Sequence, residues 1–133
     1  MTTPPRLRAL VVDDSEVIRE LIAVNLEMEG FEVHTAADGL TALDLAGSLH
    51  PDVITLDVMM PRLSGLDTVV RLRQDSRTAT IPVVMVTGRA QAADVERGDA
   101  VGVEAYLTKP FEPAELVEVV TRLARAGRAG TAH

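Results

Sequence analysis

The sequence contains no cysteine, which excludes disulfide bonds, thiolate metal sites and thiol catalysis. It also contains no tryptophan, one tyrosine and two phenylalanines, so an apolar core has to be built from aliphatic side chains and methionine. No segment approaches the roughly 20 apolar residues that a membrane-spanning helix needs. The apolar run near the N-terminus is too short for a secretory signal. We therefore expect a soluble, cytoplasmic protein that has no membrane partner.

Basic residues are few relative to acidic ones. The chain has 13 lysines and arginines against 20 aspartates and glutamates, and its formal net charge is −7. Sequence-independent binding to nucleic acid depends on basic side chains that displace counterions from phosphates. We therefore expect no nucleic-acid partner. The length of 133 residues suits one domain.

Five short apolar runs punctuate the sequence, and several are rich in β-branched residues. Strands that are buried on both faces have this nearly continuous hydrophobicity, which is typical of a parallel sheet covered by helices. We expect strands at Leu7–Val12, Phe31–Ala36, Val53–Leu56, Ile81–Val86 and Val103–Leu107.

Helical segments separate and follow these runs. Ser15, Asp38 and Ser64 are candidate N-cap residues, and Pro113 suits the first turn of a last helix. The segment Gln91–Ala100 has one large apolar residue and a glycine, so we expect it to form the most weakly held helix. The apolar positions expected on the helices are Val17, Leu21, Val24 and Met28 in the first, Leu40, Leu43 and Ala46 in the second, and Leu116, Val119, Val120 and Leu123 in the last.

The alternation of strand and helix, repeated five times, predicts a doubly wound α/β domain over residues 6–126. The remaining residues, 1–5 and 127–133, are predicted to be short flexible ends, too small to form an effector domain.

Side chains that can bind a metal or take part in a reaction follow four of the predicted strands: Asp13-Asp14, Asp57, Thr87 and Lys109. In an open parallel sheet, ligands bind beyond the carboxyl ends of the strands. Three carboxylates placed together repel one another, and Mg²⁺ suits such a site because it takes a few carboxylates together with water and phosphate oxygens. The lysine and the hydroxyl suit a phosphoryl group, and a carboxylate can be the nucleophile that forms an acyl phosphate.

These residues occur in five separated motifs: Asp13-Asp14, Asp57-Val-Met-Met-Pro61, Gly65, Thr87-Gly88 and Lys109-Pro110. In this order and spacing they resemble the receiver domain (CheY-like) of two-component response regulators, over almost the whole chain. The resemblance implies a flavodoxin-like fold with strand order 2-1-3-4-5. It also implies a single-domain protein that is not an enzyme but assists its own phosphorylation and dephosphorylation. A sensor histidine kinase or phosphotransfer protein would be its donor, and an unidentified protein its downstream target.

The resemblance assigns the metal ligands position by position. Asp57 would be the phosphoacceptor and a direct Mg²⁺ ligand, and Asp14 would be the second direct carboxylate ligand. Asp13 would act through a metal-bound water, and Met59 would contribute its backbone carbonyl.

The resemblance also assigns the phosphoryl contacts and the moving parts. Lys109 would contact the phosphoryl oxygens, and its bond to Pro110 would be cis. Thr87 and Tyr106 would form the switch, the first moving toward the phosphoryl group and the second turning inward behind it. The surface that binds a target would then comprise Gln91–Ala100, the strand around Tyr106 and the exposed side of the last helix.

Other interpretations remain for some of these residues and for the function. Asp13 and Asp14 also suit the capping of a helix N-terminus, and Tyr106 suits a half-buried strand position. An aspartyl phosphatase would carry Asp-x-Asp after the first strand, and a nucleotide-binding domain would carry a glycine-rich phosphate loop; neither motif is present. A receiver-like interaction module that is not regulated by phosphorylation stays open as the alternative.

Overall fold

The computed structural model describes residues 6–88 and 102–131, and side chains as far as residue 127. Within these residues strands alternate with helices as far as β4, the next described element is β5, and each helix begins after a capping residue or at a proline. The elements are β1 (Arg8–Val12), α1 (Glu16–Met28), β2 (Glu32–Ala36), α2 (Gly39–Leu49), β3 (Val53–Asp57), α3 (Gly65–Gln74), β4 (Val83–Thr87), β5 (Ala105–Thr108) and α4 (Pro113–Thr131).

The five strands form one parallel sheet in the order β2-β1-β3-β4-β5, which confirms the predicted fold class and strand order. Successive side chains of a strand point to opposite faces of the sheet. In β1, Leu10 and Val12 belong to the core beneath α2 and α3, whereas Ala9 and Val11 belong to the core beneath α1 and α4. Helices therefore cover both faces, and the central strands are buried throughout.

The predicted capping residues are confirmed at three helices. The Ser15 hydroxyl accepts a hydrogen bond from the Ile18 amide, and the Ser64 hydroxyl accepts one from the Asp67 amide. The Asp38 carboxylate caps α2 through the Thr41 amide, at 2.8 Å. Each cap satisfies an amide that has no partner within its own helix, and so fixes where the helix begins.

The first helix presents a different face from the predicted one. Val17, Leu21, Val24 and Met28 are exposed by 75%, 43%, 53% and 82%, and they form a line along the outer side of α1 that we call the apolar stripe. The side chains that face the sheet are Ile18, Ile22, Ala23 and Leu26. Helix α1 thus has apolar residues on two adjacent faces. The face with Ile18, Ile22 and Leu26 packs against the sheet, and the apolar stripe faces outward.

Smaller differences concern α2 and the ends of elements. Leu40 was expected on the apolar side of α2 but is 51% exposed. Strand β4 begins at Val83 rather than at Ile81, because Pro82 has no amide hydrogen to donate to the ladder. Helix α4 extends past the predicted end at Ala126 to Thr131, and Gly127 packs close to Pro82. The predicted helix at 91–100 lies outside the described residues.

No helix in the described part of the chain combines the length and the apolarity that crossing a membrane requires.

Candidate functional site

The sheet brings the predicted site residues to one edge. Asp57 is the last residue of β3 and Thr87 is the last residue of β4, while Asp13-Asp14 follows β1 and Lys109 follows β5. Strands β1, β3, β4 and β5 are consecutive neighbours in the sheet. All five residues therefore lie at the carboxyl edge, in adjacent positions.

The three carboxyl groups form one cluster. An oxygen atom from each of Asp13, Asp14 and Asp57 lies within 4.8 Å of the other two. Asp13 and Asp57 are almost fully buried, with exposures of 1% and 5%, whereas Asp14 is exposed. The cluster is thus an acidic site that is buried at Asp13 and Asp57 and open to solvent at Asp14.

Lys109 supplies positive charge within this pocket. Its Nζ donates to Oδ2 of Asp13 at 3.0 Å and lies 3.8 Å from Oδ2 of Asp57. The backbone of Lys109 is held in turn, because its amide donates to the Thr87 carbonyl at 2.7 Å. The Lys109–Pro110 peptide is cis, as expected.

Asp57 is the electrostatically strained member of the cluster. Its burial, followed by the negative charge of Asp13, raises the pKa of Asp57 to about 6. Lys109 and the Met59 amide, which donates to Oδ1 of Asp57 at 3.2 Å, oppose that rise. The repulsion that remains is the kind that a bound divalent cation relieves.

The loop after β3 folds back tightly over Asp57. The Gly65 amide donates to the Val58 carbonyl at 3.0 Å. A methyl group on Gly65 would collide with the Asp57 carbonyl oxygen and would lie 2.8 Å from Cα of Val58. Glycine is therefore required there for a close approach of two backbone segments, which brings the start of α3 against the end of β3.

The remaining predicted residues lie nearby but in different environments. Thr87 is buried, with 1% exposure, at the end of the strand that pairs with β3. Tyr106 is half-buried on β5, in register with Met85, and packs against the core beneath α2 and α3. Met59 directs its side chain to solvent with 73% exposure. Their roles as switch residues and as a carbonyl ligand stay predictions.

Two residues at this edge escaped the sequence analysis as parts of the site. The Ser15 amide donates to Oδ1 of Asp13 at 2.9 Å, and Nη1 of Arg19 donates to the Asp13 carbonyl at 2.9 Å. Ser15 was recognised only as a helix cap. The signal that could have found Arg19 is its place in the first turn of the helix that follows the acidic pair.

The donor set fits Mg²⁺. All the charged ligands are carboxylate oxygens, which is what this hard cation prefers, and the exposed side at Asp14 leaves room for water and for a phosphate oxygen. The cluster carries more negative charge than Lys109 alone neutralises, which gives a cation a favourable place.

A family model matches most of the chain. Residues 9–121 match the model described as "Response regulator receiver domain". This chain belongs to the receiver-domain family. Receiver domains are phosphoacceptors of two-component systems, generally bind Mg²⁺ at an acidic pocket, and take their phosphoryl group from a histidine kinase or a phosphotransfer protein.

Individual relatives agree with this assignment. The receiver domain is 44% identical over 118 residues to the DNA-binding dual master transcriptional regulator RpaA of Synechocystis sp., covering 89% of this chain and 49% of that protein. It is 43% identical over 108 residues to the phosphate regulon transcriptional regulatory protein PhoB of Pseudomonas aeruginosa, covering 81% of this chain and 47% of the relative. The chain thus spans about half the length of these curated relatives.

Among solved structures, the chemotaxis protein CheY4 of Vibrio cholerae superposes on the receiver domain with a TM-score of 0.86 and 37% identity. The match covers 90% of this chain and 99% of the CheY4 chain. A putative response regulator from Chloroflexus aurantiacus superposes with a TM-score of 0.85 and 34% identity, over 91% of this chain and 99% of that one.

Proposed function

We propose that this receiver domain accepts a phosphoryl group on Asp57 and uses it to control the binding of a protein target or to relay it onward. The observation that carries the proposal is the Asp57 carboxylate, buried at the end of β3 beside two further carboxylates and the Lys109 ammonium.

Asp57 is the nucleophile in this proposal. One of its carboxylate oxygens forms a bond to phosphorus while the bond from phosphorus to the donor breaks, and the electron pair of that bond leaves with the donor. Lys109 stands 3.8 Å from Asp57 and pairs with the developing negative charge on the phosphoryl oxygens. Thr87, on the adjacent strand end, donates its hydroxyl to the phosphoryl group, and Tyr106 turns inward behind it. Attack by water on the same phosphorus reverses the modification.

Mg²⁺, when bound, neutralises oxygen charge as the phosphoryl group is transferred. Asp14 and Asp57 would hold it directly, Asp13 would hold it through a water, and the Met59 backbone carbonyl would complete the protein ligands. Asp13 is suited to the indirect role because Ser15 and Lys109 already occupy its two oxygens.

The direct test is phosphorylation by a small donor. Incubation with acetyl phosphate and Mg²⁺ should add one acid-stable, base-labile phosphoryl group, seen as a mass increase of the intact protein, and a chelator should prevent it. The absence of this adduct, together with unchanged amide NMR spectra on addition of Mg²⁺ and beryllofluoride, would instead support the interaction module that is not regulated by phosphorylation.

Binding of Mg²⁺ should weaken in acid. The pKa of Asp57 is raised to about 6, so protons compete with the metal for this carboxylate at a pH below that value. We expect the apparent affinity, measured by NMR titration at constant ionic strength, to fall by about fivefold between roughly pH 6 and pH 5. An affinity that is constant from about pH 7.5 to pH 5 would mean that the metal does not contact Asp57.

The apolar stripe of α1 is a suitable docking surface for a protein donor. Helix α1 starts at Glu16, directly after the acidic pair and the Ser15 cap, so the stripe begins beside the phosphorylation site. A donor that brings its phosphohistidine to Asp57 must cover the surface next to that site. Four exposed aliphatic side chains in a line match the apolar face of a partner helix.

Replacing Val24 by arginine should slow phosphoryl transfer from a protein donor but not from a small-molecule donor. Val24 is 53% exposed, so the change should leave the fold intact. We expect the rate of transfer from the cognate kinase to fall by about tenfold, the effect of losing a moderate interface contact. Labelling by acetyl phosphate should stay unchanged. Leu40→Arg is the matched control, because Leu40 is 51% exposed on the opposite layer; equal effects of the two variants on kinase transfer would contradict docking at the stripe.

A further inference from the structure

The side chain of Arg19 reaches from the first turn of α1 back to the end of β1. Its backbone amide donates to the Ser15 carbonyl at 2.9 Å, in the first hydrogen bond of the helix. Its Nη1 donates to the backbone carbonyl of Asp13, also at 2.9 Å. The residue is half-buried and contacts the acidic turn from the side of the helix.

The carbonyl that Arg19 holds belongs to the peptide that joins Asp13 to Asp14. On the other side of that peptide Asp13 is already fixed, since its amide donates to the Ala36 carbonyl at 3.2 Å and its carboxylate accepts from Ser15 and Lys109. The orientation of the joining peptide therefore decides where Asp14 points as the chain leaves the strand. Rotating this planar unit would move the Asp14 side chain relative to Asp13 and Asp57.

We propose that Arg19 is a positioning residue for the metal site. By holding the Asp13 carbonyl, it keeps the exposed Asp14 carboxylate within 4.8 Å of the two buried ones. Of the three carboxylates, Asp14 most needs such support, because it is exposed while Asp13 and Asp57 lie buried. The inference rests on the proposed function, since it concerns the binding of Mg²⁺ by the same cluster.

Charge alone makes the opposite prediction. A guanidinium beside a cation site repels the cation, so its removal should tighten binding if Arg19 acted only through its charge. Loss of a group that orients a ligand should weaken binding, by about tenfold at the lower end of what such supporting groups contribute. The sign of the change in Mg²⁺ affinity therefore separates the two roles.

The test compares Arg19→Gln, Arg19→Lys and the control Arg71→Gln. Arg71 is exposed in the last turn of α3, so its replacement removes one positive charge at the end of a helix that leads away from the site. We expect Arg19→Gln to bind Mg²⁺ about tenfold more weakly than Arg71→Gln in an NMR titration. Arg19→Lys should lie between them, because lysine keeps the charge and one donor but lacks the planar fork. An affinity of Arg19→Gln equal to or tighter than that of Arg71→Gln would overturn the proposal.

Two further measurements keep the outcome interpretable. Urea unfolding without Mg²⁺ reports any loss of stability, and a merely structural Arg19 would lower the unfolding midpoint while leaving the Mg²⁺ affinity of the folded protein unchanged. If Arg19→Gln does not fold, Arg19→Lys decides the question, and wild-type affinity in that variant would overturn the proposal. Equal Mg²⁺ binding by the wild type and by Asp57→Asn would show that the proposed metal site itself is wrong.

Discussion

Replacing Asp57 by asparagine should abolish phosphorylation and, in the same protein, raise stability. The amide cannot act as the nucleophile, so neither acetyl phosphate nor a kinase should label the variant. Intact-mass spectrometry checks this directly. A stoichiometric phosphoryl adduct on Asp57→Asn would assign the acceptor to another residue.

The stability gain follows from the pKa of Asp57, which is about 6 in the folded protein against an ordinary value of 3.8. Because the folded state binds this proton more tightly than the unfolded state, the metal-free wild type should lose stability as the pH rises from about 4 to about 6. Asparagine removes that loss. We expect Asp57→Asn to be more stable by about 1–3 kcal/mol at neutral pH without metal, and by nothing measurable near pH 4.

Urea unfolding in a chelator at the two pH values measures the difference. Asp44→Asn, an exposed acid in the middle of α2, is the matched control and should change little at either pH. Saturating Mg²⁺ should reduce the difference in free energy of unfolding between Asp57→Asn and the wild type, because a bound cation stabilises the charged carboxylate of the wild type. If Asp57→Asn is less stable than the wild type in chelator at neutral pH, the charged Asp57 carboxylate does not destabilise the folded protein as its raised pKa predicts.

The second large effect should come from Arg73, which lies far from the phosphorylation chemistry. Its guanidinium donates to the carbonyls of Ala79, Ile81 and Gly102 at 3.2, 2.7 and 2.8 Å, and pairs with the Glu104 carboxylate at 3.1 Å. Its side chain is only 18% exposed. One arginine thus joins α3 to the segments that lead into β4 and β5.

Arg73→Ala should destabilise the protein by about 2–3 kcal/mol, because it leaves several carbonyls and the Glu104 carboxylate, whose side chain is 34% exposed, without their donor. Glu104 also accepts a hydrogen bond from the amide of Val83, the first residue of β4, at 2.6 Å. Loss of Arg73 should therefore also weaken the start of β4. Arg73→Lys should recover part of the loss, since a lysine satisfies one or two of these partners. The free energy of unfolding in urea reports each value.

The neighbouring Arg71→Ala provides the comparison, because Arg71 is exposed on the same helix. Arg71→Ala should lower the free energy of unfolding by at most about 0.5 kcal/mol. If the two alanine variants unfold within about 1 kcal/mol of each other, the Arg73 network does not stabilise the sheet as we expect.

The features that depend on local chemistry were predictable from the sequence. Apolar runs marked the strands because a buried parallel strand has no polar face, and Ser15, Asp38 and Ser64 marked helix starts because their side chains replace missing helical partners. The strand order came from the resemblance, since hydrophobic patterning does not say which strands are neighbours. The carboxylate cluster was predictable once the sheet was, because parallel strands end at a common edge.

The features that depend on packing over long distances were not predictable. Helix α1 has two apolar stripes, and spacing alone could not choose between Ile22 and Leu21 as the residue that faces the sheet. Arg73 and Glu104 lie 31 residues apart and belong to no motif, so only the folded backbone brings them together. Arg19 was missed for a different reason: its partner is the main-chain carbonyl of Asp13, so only its place in the first turn after the acidic pair pointed to the site.

The order of the strands has a consequence for the chain as it is synthesised. Strands β1, β2 and β3 come first and already form a contiguous half of the sheet, so a nascent chain that has emerged through β3 contains all three carboxylates. Lys109, which stands 3.0 Å from Asp13 in the finished protein, emerges only after β5. Until then the acidic edge lacks the Lys109 ammonium, and repulsion among the three carboxylates disfavours bringing them together. The synthesis of β5 and Lys109 therefore completes both this sheet and the ion pair with Asp13.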